Sequence, residues 1–443
     1  MTGSATTNRA RRAARATRAT SAGRALHGRL TAGPMLRHTL SVLTGTAGGQ
    51  LVAIAATPLL TRLYSPVDYG GYSYLASVTL IVAGIACLRL ERAVPLPESD
   101  EEAREVIAVA SLASLCFAAL TAVALLGVRQ LEQAPPILHS VWVWVVPPAV
   151  FATAEYTLWS QAALRLEDYS AVARRSFTQN ASTVIFQGVL APLRWGTGGL
   201  LVGQLGARVL STVQLILSSR ELIGGWHWRG CRRALSRFAR FPCVMAPAAL
   251  FNVLGTYLPV LLVGWLYGQA EAGHLGVAQQ VVLLPSMILG TAVGQVYVGR
   301  LSASRREGGG DDRRVFLRAS AALTALALPF ALGVILLGPQ LLPVLLGERW
   351  AAAGPMAAAM AVSAAFGLVV SPLSYVLVAF ERSWTTLLLD VLRVLVVAAA
   401  GYLGFRMGAD ALVTTLAMFL AQASVYALTW LVCLRIVGAP ERR

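Results

Sequence analysis

From Arg37 onward the chain alternates between apolar stretches and short polar connections. Each apolar stretch is about 20 residues long, the length a helix needs to cross a bilayer. Twelve are legible, at 39–62, 72–94, 104–128, 137–160, 177–194, 197–218, 242–266, 273–299, 315–340, 353–379, 384–405 and 411–434. The pattern predicts an all-α polytopic membrane protein. The fourth and tenth stretches contain Pro147, Pro148 and Pro372. Bends are tolerable there because neighbouring helices satisfy the freed backbone groups. Residues 1–36 carry no acidic residue and no apolar run that would make a signal peptide. They read as a basic, disordered cytoplasmic tail lying on anionic lipid.

Composition supports the membrane reading. Hydrophobic residues make up 56% of the 443, and charged residues 13%. A soluble domain carries about 45–50% and about 25%. An ordinary soluble enzyme and a disordered chain are thereby excluded. All 37 basic residues are Arg, giving a net charge of +16. Without Lys there is neither a Walker A phosphate loop nor Schiff-base chemistry. With the tail in the cytoplasm, 30 arginines fall on the inner side and five on the outer (Arg62, Arg129, Arg194, Arg349, Arg406). Arg208 and Arg393 lie within spans. So uneven a split fits the positive-inside rule only with this helix count. It places both termini in the cytoplasm, and makes the surplus charge a topology signal with no nucleic-acid partner implied. The outer connections are too short for a folded catalytic domain, which weighs against a polysaccharide polymerase or ligase. The five cysteines form no CxxC pair and the five histidines are scattered. No catalytic set, metal site or cofactor is expected.

The spans divide six and six around an Arg- and Trp-rich connection at 219–241, read as an amphipathic linker at the inner interface. The units expected are the tail, a bundle at 37–218, this linker, and a bundle with a short tail at 242–443. A repeat supports the division. Leu63-Tyr64 recurs 203 residues later as Leu266-Tyr267, Asp68 as Glu271, and Gly70 as Gly273. Both copies follow the first helix of a half. Because six is even, the halves have the same orientation, a parallel repeat about an axis along the membrane normal. The Tyr is expected at headgroup level, the acid as a cap on the next helix, and the Gly as a tight start or close approach.

The segment Arg62-Leu63-Tyr64-Ser65-Pro66-Val67-Asp68-Tyr69-Gly70-Gly71-Tyr72-Ser73 resembles the hallmark of bacterial polysaccharide flippases. So do Leu88-Arg89-Leu90-Glu91-Arg92-Ala93-Val94, Leu96-Pro97 and the acids through Glu102. Tyr267, Gly273 and Leu284-Pro285 resemble the second-half counterpart. The family is the O-antigen and exopolysaccharide branch of the multidrug/oligosaccharidyl-lipid/polysaccharide exporter superfamily. The resemblance implies flipping of undecaprenyl-diphosphate-linked oligosaccharide repeat units across the bacterial cytoplasmic membrane by alternating access of two bundles. A polysaccharide polymerase and export machinery are the partners that would follow. The alternatives are a cation-coupled drug exporter and a peptidoglycan-precursor flippase.

A diphosphate calls for guanidinium forks. The candidates are the mouth pair Arg37 and Arg240, the span residues Arg208 and Arg393, and Arg89. Ionisable groups within spans are functional hypotheses by default. Glu155 and Asp390 are therefore candidates for coupling to a proton or sodium gradient, although Asp390 and Arg393, at i,i+3, also suit a mutual ion pair. Gln50 and Asn252, on the leading helix of each half, are the polar cleft candidates.

Overall fold

The computed structural model describes residues 48–132, 134–306, 311–380 and 382–438. No strand occurs among them. Long helices stand at all twelve expected places. In the first half they are α1 (48–63), α2 (Pro66–Ala86), α3 (Asp100–Val128), α4 (Val146–Arg165), α5 (Tyr169–Leu190) and α6 (Thr197–Ser218). The short α7 (Trp228–Arg237) lies in the connection. The second half holds α8 (Ala246–Leu266), α9 (Gln269–Arg306), α10 (Asp312–Leu346), α11 (Ala353–Leu373), α12 (Ser383–Arg406) and α13 (Ala411–Gly438). Among the described residues nine segments are long and apolar enough to cross a membrane. The chain is a multi-pass membrane protein. The expected tail at 1–36, with Arg37, lies outside the described residues.

Local chemistry explains where the boundaries differ. Helix α2 starts at Pro66, ahead of the expected 72. Ser65 and Asp68 form a reciprocal capping box: Asp68 N–H donates to Ser65 Oγ at 3.2 Å, and Ser65 N–H donates to Asp68 Oδ2 at 3.1 Å. Pro66 sits at the first helical position, where its missing N–H has no partner to lose. The same rule sets the start of the fourth span. Pro147 and Pro148 fall in the first turn of α4 and bend nothing, while Val141–Val145 winds as a 3-10 turn ahead of it. Pro372 does mark a break: α11 ends at Leu373 and a separate turn, Tyr375–Ala379, follows.

The outward faces are those of a protein in lipid. Val123 on α3, Leu336 and Val344 on α10 and Leu395 on α12 are each more than 60% exposed. In water such faces would aggregate; in hydrocarbon they are simply solvated. Helices α5 and α9 fall outside the nine apolar segments. They carry Gln179, Asn180 and Gln187, and Gln279, Gln280 and Gln295. Their polar groups bond inside the protein: Gln187 donates to the Leu200 carbonyl at 3.0 Å and Gln279 to that of Thr256 at 3.0 Å.

Three apolar cores organise the molecule. One belongs to α2, α3, α4 and α6 and takes in Ala234 and Phe238 of the connection. Another belongs to α9–α13. The third is shared, joining Leu60, Tyr64, Tyr69 and Leu200 to Val263, Leu275, Trp350 and Met356. It lies at the end holding the α1–α2 and α8–α9 turns. There the repeated glycines meet. A Cβ on Gly70 would strike the Gln269 carbonyl, and one on Gly273 would strike that of Pro66. The two copies of the repeat thus cross backbone to backbone at the pseudo-symmetry axis. Trp350, wholly buried, donates its indole N–H to the Thr61 carbonyl at 2.9 Å and packs edge-on to Tyr69 and His274.

The repeated tyrosines bond inside their own halves. Tyr64 is 3% exposed and donates to the Gln187 carbonyl of α5 at 2.7 Å. Tyr267 donates to the Ala409 carbonyl, before α13, at 2.9 Å. Each ties the first turn of its half to the last helix pair of the same half. A buried hydroxyl needs a partner, and a backbone carbonyl supplies it.

Candidate functional site

Helix α6 carries Arg208 in its middle. Its guanidinium carbon lies 4.7 Å from the centroid of the Tyr156 ring on α4, a cation–π distance. The hydroxyls of Tyr72 on α2 and Tyr257 on α8 are within electrostatic reach. Its Nε is buried without a hydrogen-bond partner, and Arg208 has no acidic partner among the described residues. A mid-helix guanidinium that is half-buried, faced by aromatics of both halves and not neutralised is poised for an anion. The Tyr156 ring face lowers the cost of desolvating it but leaves its forked N–H edge free.

Tyr257 also lines a cavity of about 870 Å³ among α8, α9, α11, α12 and α13. Three sequence candidates meet there. Arg393 pairs with Asp390 at 3.1 Å, donates to the Asn252 carbonyl at 2.8 Å and donates to the Tyr426 hydroxyl at 3.0 Å. The Asn252 amide donates to Asp390 at 3.4 Å. Gly255 makes the insertion possible, since a side chain there would collide with the guanidinium. Asp390 is 9% exposed and Arg393 4%. Such a pair contributes little net stability, but removing one partner strands the other. Arg393→Leu is expected to lower stability by about 3–5 kcal/mol. The double variant Asp390→Asn/Arg393→Leu is expected to recover most of it, read by thermal unfolding in detergent.

The remaining candidates are placed apart. Glu155 lies within the first half, where Ser114 donates at 2.7 Å, Ser111 at 3.0 Å and the Trp159 indole at 3.1 Å. These bonds clamp α3 to α4. Glu155→Gln is expected to cost about 1 kcal/mol and to leave export and its response to a proton uncoupler unchanged. Arg89 sits in a left-handed turn with φ 60° and pairs with the buried Glu91 at 3.2 Å. Burial pushes the Glu91 carboxyl above its ordinary range, and Arg89 pulls it back. Arg240 is exposed just before the π-turn Phe241–Met245 that leads into α8. Gln50 is half-buried on α1. Arg37 lies outside the described residues, so the structure does not address the mouth pair.

Sequence reasoning missed the tyrosines. Tyr72, Tyr156 and Tyr257 stand at Arg208 and Tyr426 at Arg393, with Gln422 beside Tyr426, and Gln279 and Thr256 in the cavity wall. The signal was present as Tyr and Gln in mid-span rather than in interfacial belts.

The sequence model of a family described as polysaccharide biosynthesis protein matches residues 59–355. The teichuronic acid biosynthesis protein TuaB of Bacillus subtilis (strain 168) is 24% identical over 151 residues, 34% of this chain. That alignment takes in 31% of the relative's own length. Among solved structures, the fold is similar to the lipid II flippase MurJ in an inward closed conformation. The TM-score is 0.69 at 14% identity, over 90% of this chain and 87% of that one. It is also similar to an inward-facing multidrug resistance MATE family transporter of the MOP superfamily. Here the TM-score is 0.62 at 13% identity, over 89% of this chain and 94% of that one. At such identities the likeness speaks for the fold. With the family match over most of its length, the chain belongs to the polysaccharide biosynthesis protein family and carries the fold of MOP-superfamily transporters.

Proposed function

We propose that the protein flips undecaprenyl-diphosphate-linked oligosaccharide units from the inner to the outer leaflet of the bacterial cytoplasmic membrane, supplying surface polysaccharide synthesis. The observation that carries this reading is Arg208, an uncompensated guanidinium between the halves. Phosphate oxygens match its fork bidentately. The cavity beyond Tyr257 offers Asn, Gln and Tyr groups, which suit the hydroxyls and ring faces of sugars. The polyprenyl tail stays in lipid, beside the apolar outer faces.

With both termini in the cytoplasm, the shared core around Trp350 closes the periplasmic end. At the opposite end the halves touch through Gly84 against Val253 and through the 90–92 turn against Phe241–Met245. Rocking about the Gly70–Gly273 crossing would exchange these two closures. A polymerase and export machinery would take the flipped unit, and a proton or sodium gradient would drive the cycle.

Deletion tests the reading. It predicts lipid-linked repeat units accumulating inside and loss of surface glycan, both reversed by the intact gene. Unaltered glycan with changed dye resistance would select drug export. Arrest of cell-wall synthesis with lipid II accumulation would select the peptidoglycan precursor.

A further inference from the structure

The acidic stretch at the start of α3 is sorted by its partners. Asp100 takes Arg165 at 2.9 Å, and Glu102 takes Arg237. Glu101 and Glu105 are left without a guanidinium, in a chain with 37 of them. They stand at i,i+4 on one face of α3. Glu105 is 9% exposed, and its carboxylate has no hydrogen bond or ion pair among the described residues. An unpaired carboxylate at this partly exposed edge is free to accept a ligand arriving from water.

What faces these two acids is His227. Its ring nitrogen and one oxygen from each carboxylate all lie within 4.8 Å of one another. No ion pair joins them, and small side-chain movements would bring all three onto one ion. Ligands about 2.0–2.2 Å from a shared metal ion stand roughly 3–4 Å from one another. The connection is shaped to deliver the imidazole. Gly224 and Gly225 both adopt positive φ, at 75° and 69°, turning the chain back onto α3 just before His227. One helical turn later, Gly230 lies against Glu105; any side chain there would collide with its carboxylate. Arg104 donates to the Glu221 carbonyl at 3.1 Å, which holds the approach to this turn.

We infer that Glu101, Glu105 and His227 bind a divalent transition-metal ion of the zinc or manganese class. Two carboxylates and one imidazole suit such ions, and leave coordination positions open to water. Bound there, the ion pins the inter-bundle connection to the first half. That connection leads directly into α8, the first helix of the second half.

The test is titration of the purified full-length chain in detergent with Mn²⁺, followed by electron paramagnetic resonance, and with Zn²⁺ by calorimetry. One site per chain is expected. Loss of an outer-shell partner alone typically weakens a metal site 10–100-fold. Glu105→Gln and His227→Gln, which remove ligands, are therefore expected to weaken binding at least tenfold. Glu98→Gln changes an acid outside the cluster and is expected to bind as the parent does. Metal is expected to raise the melting temperature of the parent and of Glu98→Gln only. Each variant's metal-free melting temperature reports whether it folds. Absence of stoichiometric binding to the folded parent overturns the proposal. So does binding that survives both ligand variants, or falls equally in Glu98→Gln, because diffuse negative charge would then hold the ion.

Discussion

Replacing Arg208 by Gln is expected to reduce glycan export roughly 10- to 100-fold at matched protein level. A charge-assisted hydrogen bond to an anion is worth about 1.5–3 kcal/mol, and a bidentate fork makes two. Gln retains a hydrogen-bond donor but neither the charge nor the fork. Arg208→Lys is expected to fall between, because a point charge attracts a diphosphate without matching its geometry. Folding is not expected to suffer, since no described acid depends on Arg208. Both variants should therefore reach the membrane in normal amount while lipid-linked repeat units accumulate. Normal export by Arg208→Gln would remove the main support for diphosphate recognition between the halves.

Gly70→Val is expected to abolish export by a different route. The new side chain meets the Gln269 carbonyl, which is helix backbone and has nowhere to retreat. Overpacking a well-filled site costs about 1–3 kcal/mol, and a backbone contact relaxes least. The cost falls only on the arrangement in which α2 and α9 cross closely. The shared core around Trp350 should then be populated less, and the end it seals should open. A cysteine at Ser73, packed against Gly276 and 9% exposed, reports this in a cysteine-free background. Its reaction with a membrane-impermeant thiol reagent added from outside is expected to rise in Gly70→Val. Gly273→Val, the repeat-related change, should behave alike. Equal protection in all three backgrounds, with export intact, would show that the crossing is not part of the gate.

Much of this site is only partly legible in the sequence. The i,i+3 spacing of Asp390 and Arg393 suits a mutual ion pair as well as separate roles, and the structure shows the pair. The sequence marks Asn252 only as a polar residue on a leading helix; the fold sets its carbonyl and amide against the pair. Glu155 drew attention because a mid-span carboxylate is expensive, yet Ser111, Ser114 and Trp159 already satisfy it. The tyrosines around Arg208 come from α2, α4 and α8. No spacing along the chain links them, because helix packing rather than helix periodicity brings them together.

What the sequence determined by itself is what depends on solvent and local chain chemistry. Runs of apolar residues about 20 long specify membrane helices, because an unpaired backbone is intolerable in hydrocarbon. The 203-residue repeat specifies two related halves, and Ser65, Pro66 and Asp68 specify where α2 begins. Tertiary structure alone decided which buried charges are neutralised and which are not. Asp390 and Arg393 cancel each other; Arg208 meets the Tyr156 ring and tyrosine hydroxyls but no described acid; Glu105 stands opposite a histidine carried in by a distant connection. A charge in a low-dielectric interior is defined by its neighbours within a few ångströms. Those neighbours are chosen by how helices far apart in sequence pack. The repeated glycines make the same point: the motif predicted a close approach, and only the fold showed that each copy approaches the other.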